Sequence, residues 1–436
     1  MTERTDEGRS GAVRRYGWRG RLGCLAAVVV PLALVVGIAW AFLHPMGWVP
    51  GWSMTTTWVA KSDAAEAAPE DAADRTWVAG DLVVRGRPDG VRAFHAGSGA
   101  KRWEYTPPRL TDICALSATA DDSVALVAYT GRGGGCATVA ALDLKDGREL
   151  WHASRVPALD AVADQGLLPG QGPLTGRGFL GVGGALAVAD GLGLVLEAGG
   201  DAPALRALEL RTGAPRWTAA VPKGCEPGPT ATAPKQVLTV LTCGGEMKLA
   251  AFAPADGTAL WTVPLDARRG VTAGTAVSVV SAEPIVLRVD GRDFLAFGPD
   301  GRPGPRIKPG GAPSRLDGAD VAVSDGRLFA LTKGGRWGRI VGYDLTSGDQ
   351  LWQEGLGGAG YTVGGLYAGG GRVMALRTST RSGNILHTFD AATGDEEQRV
   401  FRELASPAQE VIPLGELLIA VHPGDDNRPF SAYERW

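Results

Sequence analysis

Histidine and net charge are both in short supply in this chain. The five histidines (His44, His95, His152, His387 and His422) are scattered with no ligand spacing. Each reads as a lone surface or turn residue, and no metal centre is expected from them. The formal charge is −3 and the pI is near 6.0. Beyond residue 23 there is no basic stripe, which argues against a nucleic-acid binder. No nucleophile elbow is present, although Ser-His-Asp chemistry stays open because a triad is defined by geometry. The glycine run at 131–135 (GRGGG) lacks the strand–loop–helix context and the Lys-Ser/Thr of a phosphate loop, and reads as a hairpin loop. Asp425, Asp426 and Asn427 have no calcium-binding loop around them and read as a solvated turn. Sequence therefore assigns no catalytic, cofactor-binding or metal-ligating residue.

Glycine (64) and proline (28) are abundant, 44% of residues are hydrophobic and 21% charged. Such a balance suits one large all-β domain with many tight turns. The first segment, 1–23, has six arginines (Arg4, Arg9, Arg14, Arg15, Arg19, Arg21) against Glu3, Asp6 and Glu7, and reads as a cytoplasmic basic tail. Residues 24–43 carry no charge and are long enough to cross a bilayer core as a transmembrane signal anchor. The arginines orient it N-in, C-out, placing the rest outside the cytoplasmic membrane. Trp40, Trp48 and Trp52 suit the outer interface. A cleaved signal ending at Ala39-Trp40-Ala41 is the main alternative, and a twin-arginine signal at Arg14-Arg15 has poor following residues. A lipobox at Cys24 fails, because that cysteine precedes the apolar core.

The rest of the chain is a degenerate repeat, clearest at 139–151 (VAALDLKDGRELW), where a strand, a tight turn with Gly and a second strand opening with Trp follow one another. Aligned on the turn glycine, the copies hold Ala93-Phe94, Gly99 and Trp103; Ala141-Leu142, Gly147 and Trp151; Ala207-Leu208, Gly213 and Trp217; and Ala251-Phe252, Gly257 and Trp261. Copy five has Ala296-Phe297 and Gly301 without Trp, copy six Gly342-Tyr343, Gly348 and Trp352, and copy seven Thr388-Phe389 and Gly394 with Gln398 in the Trp place. An eighth opens at Ala432-Tyr433. A period of about forty-five residues with strand signals throughout means four-stranded blades in a radial array. The residue before the apolar anchor is always small, so a neighbouring blade is expected to pack a bulky group there, the repeat Trp being the candidate. These tryptophans (Trp103, Trp151, Trp217, Trp261, Trp352) recur once per blade, as packing requires.

This pattern resembles the PQQ-like repeat family, the propellers of quinoprotein dehydrogenases and BamB-type assembly lipoproteins, over 76–436. It implies an eight-bladed β-propeller, with blades at about 76–106, 111–156, 178–222, 225–266, 271–308, 315–357, 361–403 and 407–436. The last blade lacks one strand. Residues 54–60, within a juxtamembrane segment at 44–75 that also holds an acidic linker (61–75), are expected to supply it, with Trp58 replacing the missing Trp. Seven blades with a ragged end is the alternative. The long step between Gly147 and Gly213 marks an insertion at 157–177, either functional or disordered.

Cys114 and Cys225 open a first strand, and Cys136 and Cys243 end a second strand, in two different blades. Disulfides Cys114–Cys136 and Cys225–Cys243 are expected, in an oxidising compartment; reduced thiols or a Cys₄ metal site are the alternatives. A quinoprotein of the resembled family implies quinone between a Trp floor and a vicinal Cys-Cys disulfide, beside a calcium ion held by Glu, Asn and Asp. This chain has no Cys-Cys pair and only two asparagines, Asn384 and Asn427. No cofactor is expected. The leading expectation is a non-catalytic, membrane-anchored scaffold that binds envelope proteins or polymers at its axial faces. The alternatives are a PQQ- and calcium-dependent oxidoreductase and a ligand-sensing ectodomain. The Ala, Gly and Arg richness suggests a high-GC bacterial genome, and without an outer membrane a BamB-like role would not transfer.

Overall fold

The computed structural model describes residues 18–43, 52–61, 75–130, 136–154, 186–197, 203–266, 269–309, 312–313, 321–334, 337–357, 361–379, 384–403, 407–422 and 428–435. Within them the fold is all-β apart from one long helix, α1 (Trp18–Leu43), and a short 3₁₀ turn at Pro108–Leu110. The strands form seven sheets: five of four strands, one of five and one of eight. Each sheet is an antiparallel meander in chain order, except where the eight-stranded one joins two four-stranded sets and where Ala312–Pro313 and Val321–Ser324 both pair with Arg327–Gly334. In chain order the units cover 75–105, 113–154, 186–220, 225–264, 277–307, 312–355, 362–401 and 410–435.

The last unit is completed from the far end of the chain. Strand β1 (Ser53–Val59) runs antiparallel to Phe430–Arg435, pairing Met54 with Arg435 and Val59 with Ser431. Its first two residues also pair in parallel with Val400 and Phe401 of the seventh unit. This is the closing strand expected at 54–60, and it leaves the eighth unit with four strands.

Strands in this arrangement are buried on both sides, which explains their nearly continuous apolar runs. In Leu82–Arg87, for example, Leu82 and Val84 join a core shared with the second unit, while the alternate Val83 joins one shared with the eighth. The hydrophobic core is therefore a succession of seams. One joins Val286 and Ile307 to Leu328 and Tyr343 (fifth and sixth units), and another joins Phe94 to Ile419 and Phe430 (first and eighth). Because that last seam exists, the series closes on itself. From the third unit to the eighth, one strand of each unit touches its counterpart in the next, the first strand in every unit but the sixth, where it is Val321–Ser324, and this places these strands innermost. This is the plan of a β-propeller.

Helix α1 forms over the stretch expected to be an anchor. Among the described residues no helix is long and apolar enough to cross a membrane; the side chains of α1 are described only over 29–43. In that part every large apolar side chain is exposed, from Val29 to Leu43. Residues 62–74 of the acidic linker (61–75), the insertion at 157–177, the GRGGG run and Asp425-Asp426-Asn427 lie outside the described residues.

Candidate functional site

The repeat tryptophans sit between units. Each lies on the last strand of its unit, and its indole covers the turn glycine of the following one: Trp103 on Gly147, Trp151 on Gly213, Trp217 on Gly257, Trp261 on Gly301 and Trp352 on Gly394. Trp58 of β1 covers Gly99 of the first unit in the same way. These turns need glycine twice over. At Gly213 φ is +73°, and a β-carbon there would fall 2.7 Å from Trp151 Cδ2.

The indole N–H completes the contact by donating to a backbone carbonyl of the same turn. Trp151 reaches Leu210 O at 2.8 Å, Trp217 reaches Pro254 O at 2.7 Å, Trp261 reaches Pro299 O at 3.2 Å and Trp352 reaches Ala391 O at 3.1 Å. Trp58 reaches Ala96 O at 3.0 Å. Trp103 Nε1 is buried without an acceptor.

One expectation is corrected by this geometry. The small residue before the apolar anchor does not receive a neighbouring unit's ring. It is the cross-strand partner of its own unit's tryptophan, as in Ala93 with Trp103, Ala207 with Trp217 and Gly342 with Trp352. The site that receives the neighbour's ring is the turn glycine. Where copy five lacks Trp, Pro305 packs on Gly348 instead. Copy seven has Gln398 in the Trp place. There the parallel pairing of β1 and an edge-to-face contact of Phe401 with Tyr433 (4.9 Å) join the units.

The cysteines pair as Cys114–Cys136 and Cys225–Cys243, with Cα–Cα distances of 5.8 and 4.0 Å. All four sulfurs border the core shared by the second, third and fourth units, so they staple two units on either side of the third. Cys24 lies within α1.

Titratable groups are likewise engaged in holding turns and seams. Asp344 Oδ1 accepts the Thr346 and Ser347 amides, and Asp390 Oδ1 accepts those of Ala392 and Thr393. Those backbone donors hold both carboxyls below the usual range. Asp256 and Asp300, each immediately before a turn glycine, are lowered too: backbone and side-chain bonds from Thr258 act on the first, and bonds from the Arg302 side chain and backbone on the second. Between the first two units the Tyr105 hydroxyl donates to Glu149 Oε2 at 2.6 Å, and Glu149 Oε1 meets His152 Nδ1 at 2.7 Å. Burial and then the Glu149 bond and charge raise the Tyr105 pKa, and burial and then Glu149 push Tyr129 up to about 12.

Two histidines depart from the surface reading. His422 is fully buried, Nδ1 against Pro407 O at 2.8 Å and Nε2 against Ser431 Oγ at 2.8 Å. His387 is buried beside Glu396 and stacked on Phe389. Both occupy seams where unit curvature encloses a residue that looks isolated along the chain. His95 and His152 are exposed in part, and His44 lies outside the described residues.

Sequence reading also missed the arginines of the first unit. Arg85 is completely buried against the eighth and donates to His422 O at 3.2 Å. Arg92, directly opposite it, pairs with Asp89 and Glu104. Strand polarity gave no hint that this face would be covered by the other end of the chain. Among the described residues no group of three or more His, Cys, Asp or Glu is placed to hold a metal ion. The Asn384 side-chain oxygen is turned to the Ser379 amide at 2.6 Å.

The chain is similar to several solved structures. BamB from Moraxella catarrhalis is 13% identical, covering 86% of this chain and 97% of that one with a TM-score of 0.47. A europium-containing methanol dehydrogenase is 14% identical, with coverages of 85% and 83% and a TM-score of 0.49. Saccharomyces cerevisiae Sqt1 is 11% identical, with coverages of 89% and 99% and a TM-score of 0.52; at that identity the likeness is one of fold alone. No curated protein matches the chain. The family model described as outer membrane protein assembly factor BamB matches residues 179–302 and 299–425, more than half of the sequence, and the chain belongs to that PQQ-like repeat family.

Proposed function

We propose that this protein is an eight-bladed propeller, anchored by α1 outside the cytoplasmic membrane, that binds envelope proteins or polymers and performs no chemistry of its own. The observation that carries the reading is the use of the tryptophans. All five repeat indoles, and Trp58 with them, are spent on the turn glycine of the next unit, so none forms the axial floor a quinone would lie on. With the Asn384 oxygen taken by the Ser379 amide and no vicinal cysteines, the residues present do not fit a quinone and calcium. The eight units, the last completed by the closing strand, support the reading of eight blades. The description of the matching family, an assembly factor, favours protein partners.

Anchoring and location rest on separate support. A helix whose large apolar side chains are exposed on all sides has no protein surface to bury them against, and lipid is the solvent that suits it. The two disulfides suit an oxidising compartment, and the N-terminal arginines suit a cytoplasmic tail.

In-cell crosslinking from the axial turns, followed by identification of the captured species, tests the reading, with quinone and calcium added in parallel to the purified full chain. An envelope protein or polymer crosslinked reproducibly at these turns supports it. Bound quinone absorbance with turnover of an alcohol or sugar overturns it.

A further inference from the structure

The strand that completes the eighth unit is also the first strand after the helix. Only residues 44–52 separate Leu43, the end of α1, from Ser53, the start of β1. The rings of Trp40 and Trp52 span that gap, their centroids 6.1 Å apart and nearly perpendicular. Both remain close to half exposed, at 46% and 45%.

Trp52 is itself fixed to the propeller. Its carbonyl accepts the Val400 amide at 3.0 Å, and Met54 O accepts the Arg402 amide at 3.0 Å. On its other edge β1 is paired along its length with Phe430–Arg435. The residue that touches the helix is therefore stitched to the seventh unit and adjoins the eighth. In the sheet order β1 is the outermost strand of its unit, farthest from the inner strand Glu410–Leu414, so the attachment point lies on the rim of the disc and away from its axis.

From this geometry we infer that the propeller stands edge-on to the bilayer. The rim at the junction of the seventh and eighth units rests against the lipid headgroups, with Trp40 and Trp52 as the aromatic pair at the interface. Indole rings favour that layer because one edge is apolar and the N–H is polar. Both axial faces are then turned sideways, open to partners on either side. This inference rests on the anchor reading of α1.

The test uses the full chain, with Cys24→Ser as background, reconstituted in phosphatidylcholine–phosphatidylglycerol vesicles. A donor fluorophore is placed at Thr57→Cys on β1, or at Thr262→Cys on the outer strand of the fourth unit, across the disc. Energy transfer to headgroup-labelled acceptor lipid is expected to be several-fold stronger from position 57. Equal transfer from protein that floats with the vesicles overturns the edge-on arrangement and leaves the anchor standing. Protein that does not float overturns both. Trp52→Ala, whose exposed ring is not needed for the main-chain bonds, is expected to shrink the difference at least severalfold; an unchanged difference overturns the role given to the aromatic pair.

Discussion

Trp58, in the first strand of the chain, lies on Gly99 of the first unit and donates its indole N–H to Ala96 O at 3.0 Å. The same relationship, made elsewhere by the end of one unit and the turn of the next, here links the closing strand to the unit that follows it round the ring. Trp58→Ala is expected to cost about 2–4 kcal/mol, as for a large-to-small change at a largely buried site. Denaturant unfolding should show a loss similar to that of Trp151→Ala. A Trp58→Ala protein as stable as the parent would mean that the ring does not depend on β1.

The turn glycines separate backbone strain from contact. Gly80 (φ +63°) has open space where a β-carbon would sit, whereas Gly147 (φ +76°) is covered by Trp103. Gly80→Ala should cost about 1 kcal/mol, the order of the left-handed penalty alone. Gly147→Ala should cost more by the displacement of the ring, and comparison of thermal midpoints checks it. Equal losses would contradict the contact.

Trp103 and Trp151 occupy the same place in successive units, but only Trp151 has an acceptor for its N–H. Trp151→Phe should lose about 1 kcal/mol more than Trp103→Phe, the net worth of a hydrogen bond. The two variants measured side by side by urea unfolding decide the point.

The disulfides close sequence separations of 22 and 18 residues. Replacing either pair with alanines should lower stability by about 3 kcal/mol, as for loops of this length. Reducing agent should lower the thermal midpoint of the parent and leave that of the double-pair variant unchanged.

Stability should fall at both extremes of pH, for opposite reasons. Asp344 and Asp390 are depressed in the folded state by the amides they accept, so their contribution is present above the unfolded carboxyl value and lost as pH falls through the folded one. Asp344→Asn and Asp390→Asn should flatten the acid limb. Tyr129 is raised to about 12 by burial and Glu149, so its contribution is present below the ordinary tyrosine value and is lost as pH rises through about 12. Tyr129→Phe should flatten the alkaline limb in circular-dichroism titrations.

The repeat itself was legible because its period and its Gly-to-Trp spacing are local. The closing strand was legible for a related reason: a unit short of one strand and a stray strand with a Trp call for each other. What spacing could not reveal is which copy each indole serves. Trp103 is near Ala93 in its own unit and also covers Gly147 in the next, and only the curvature of the ring decides that glycine, not the small residue, takes the neighbour. Pro305 could not be found as a substitute because it shares no chemistry with tryptophan beyond a compact apolar ring. Arg85 and His422 stayed hidden because the segments that bury them come from opposite ends of the chain.

Translation adds a constraint of timing. Ser53–Val59 leaves the ribosome long before its main partner, Phe430–Arg435. The piece made early must wait, unpaired, until that partner has been made, the slowest kind of contact to establish. A stalled or truncated product would therefore keep a bare strand edge, marking it as unfinished to any protease it meets.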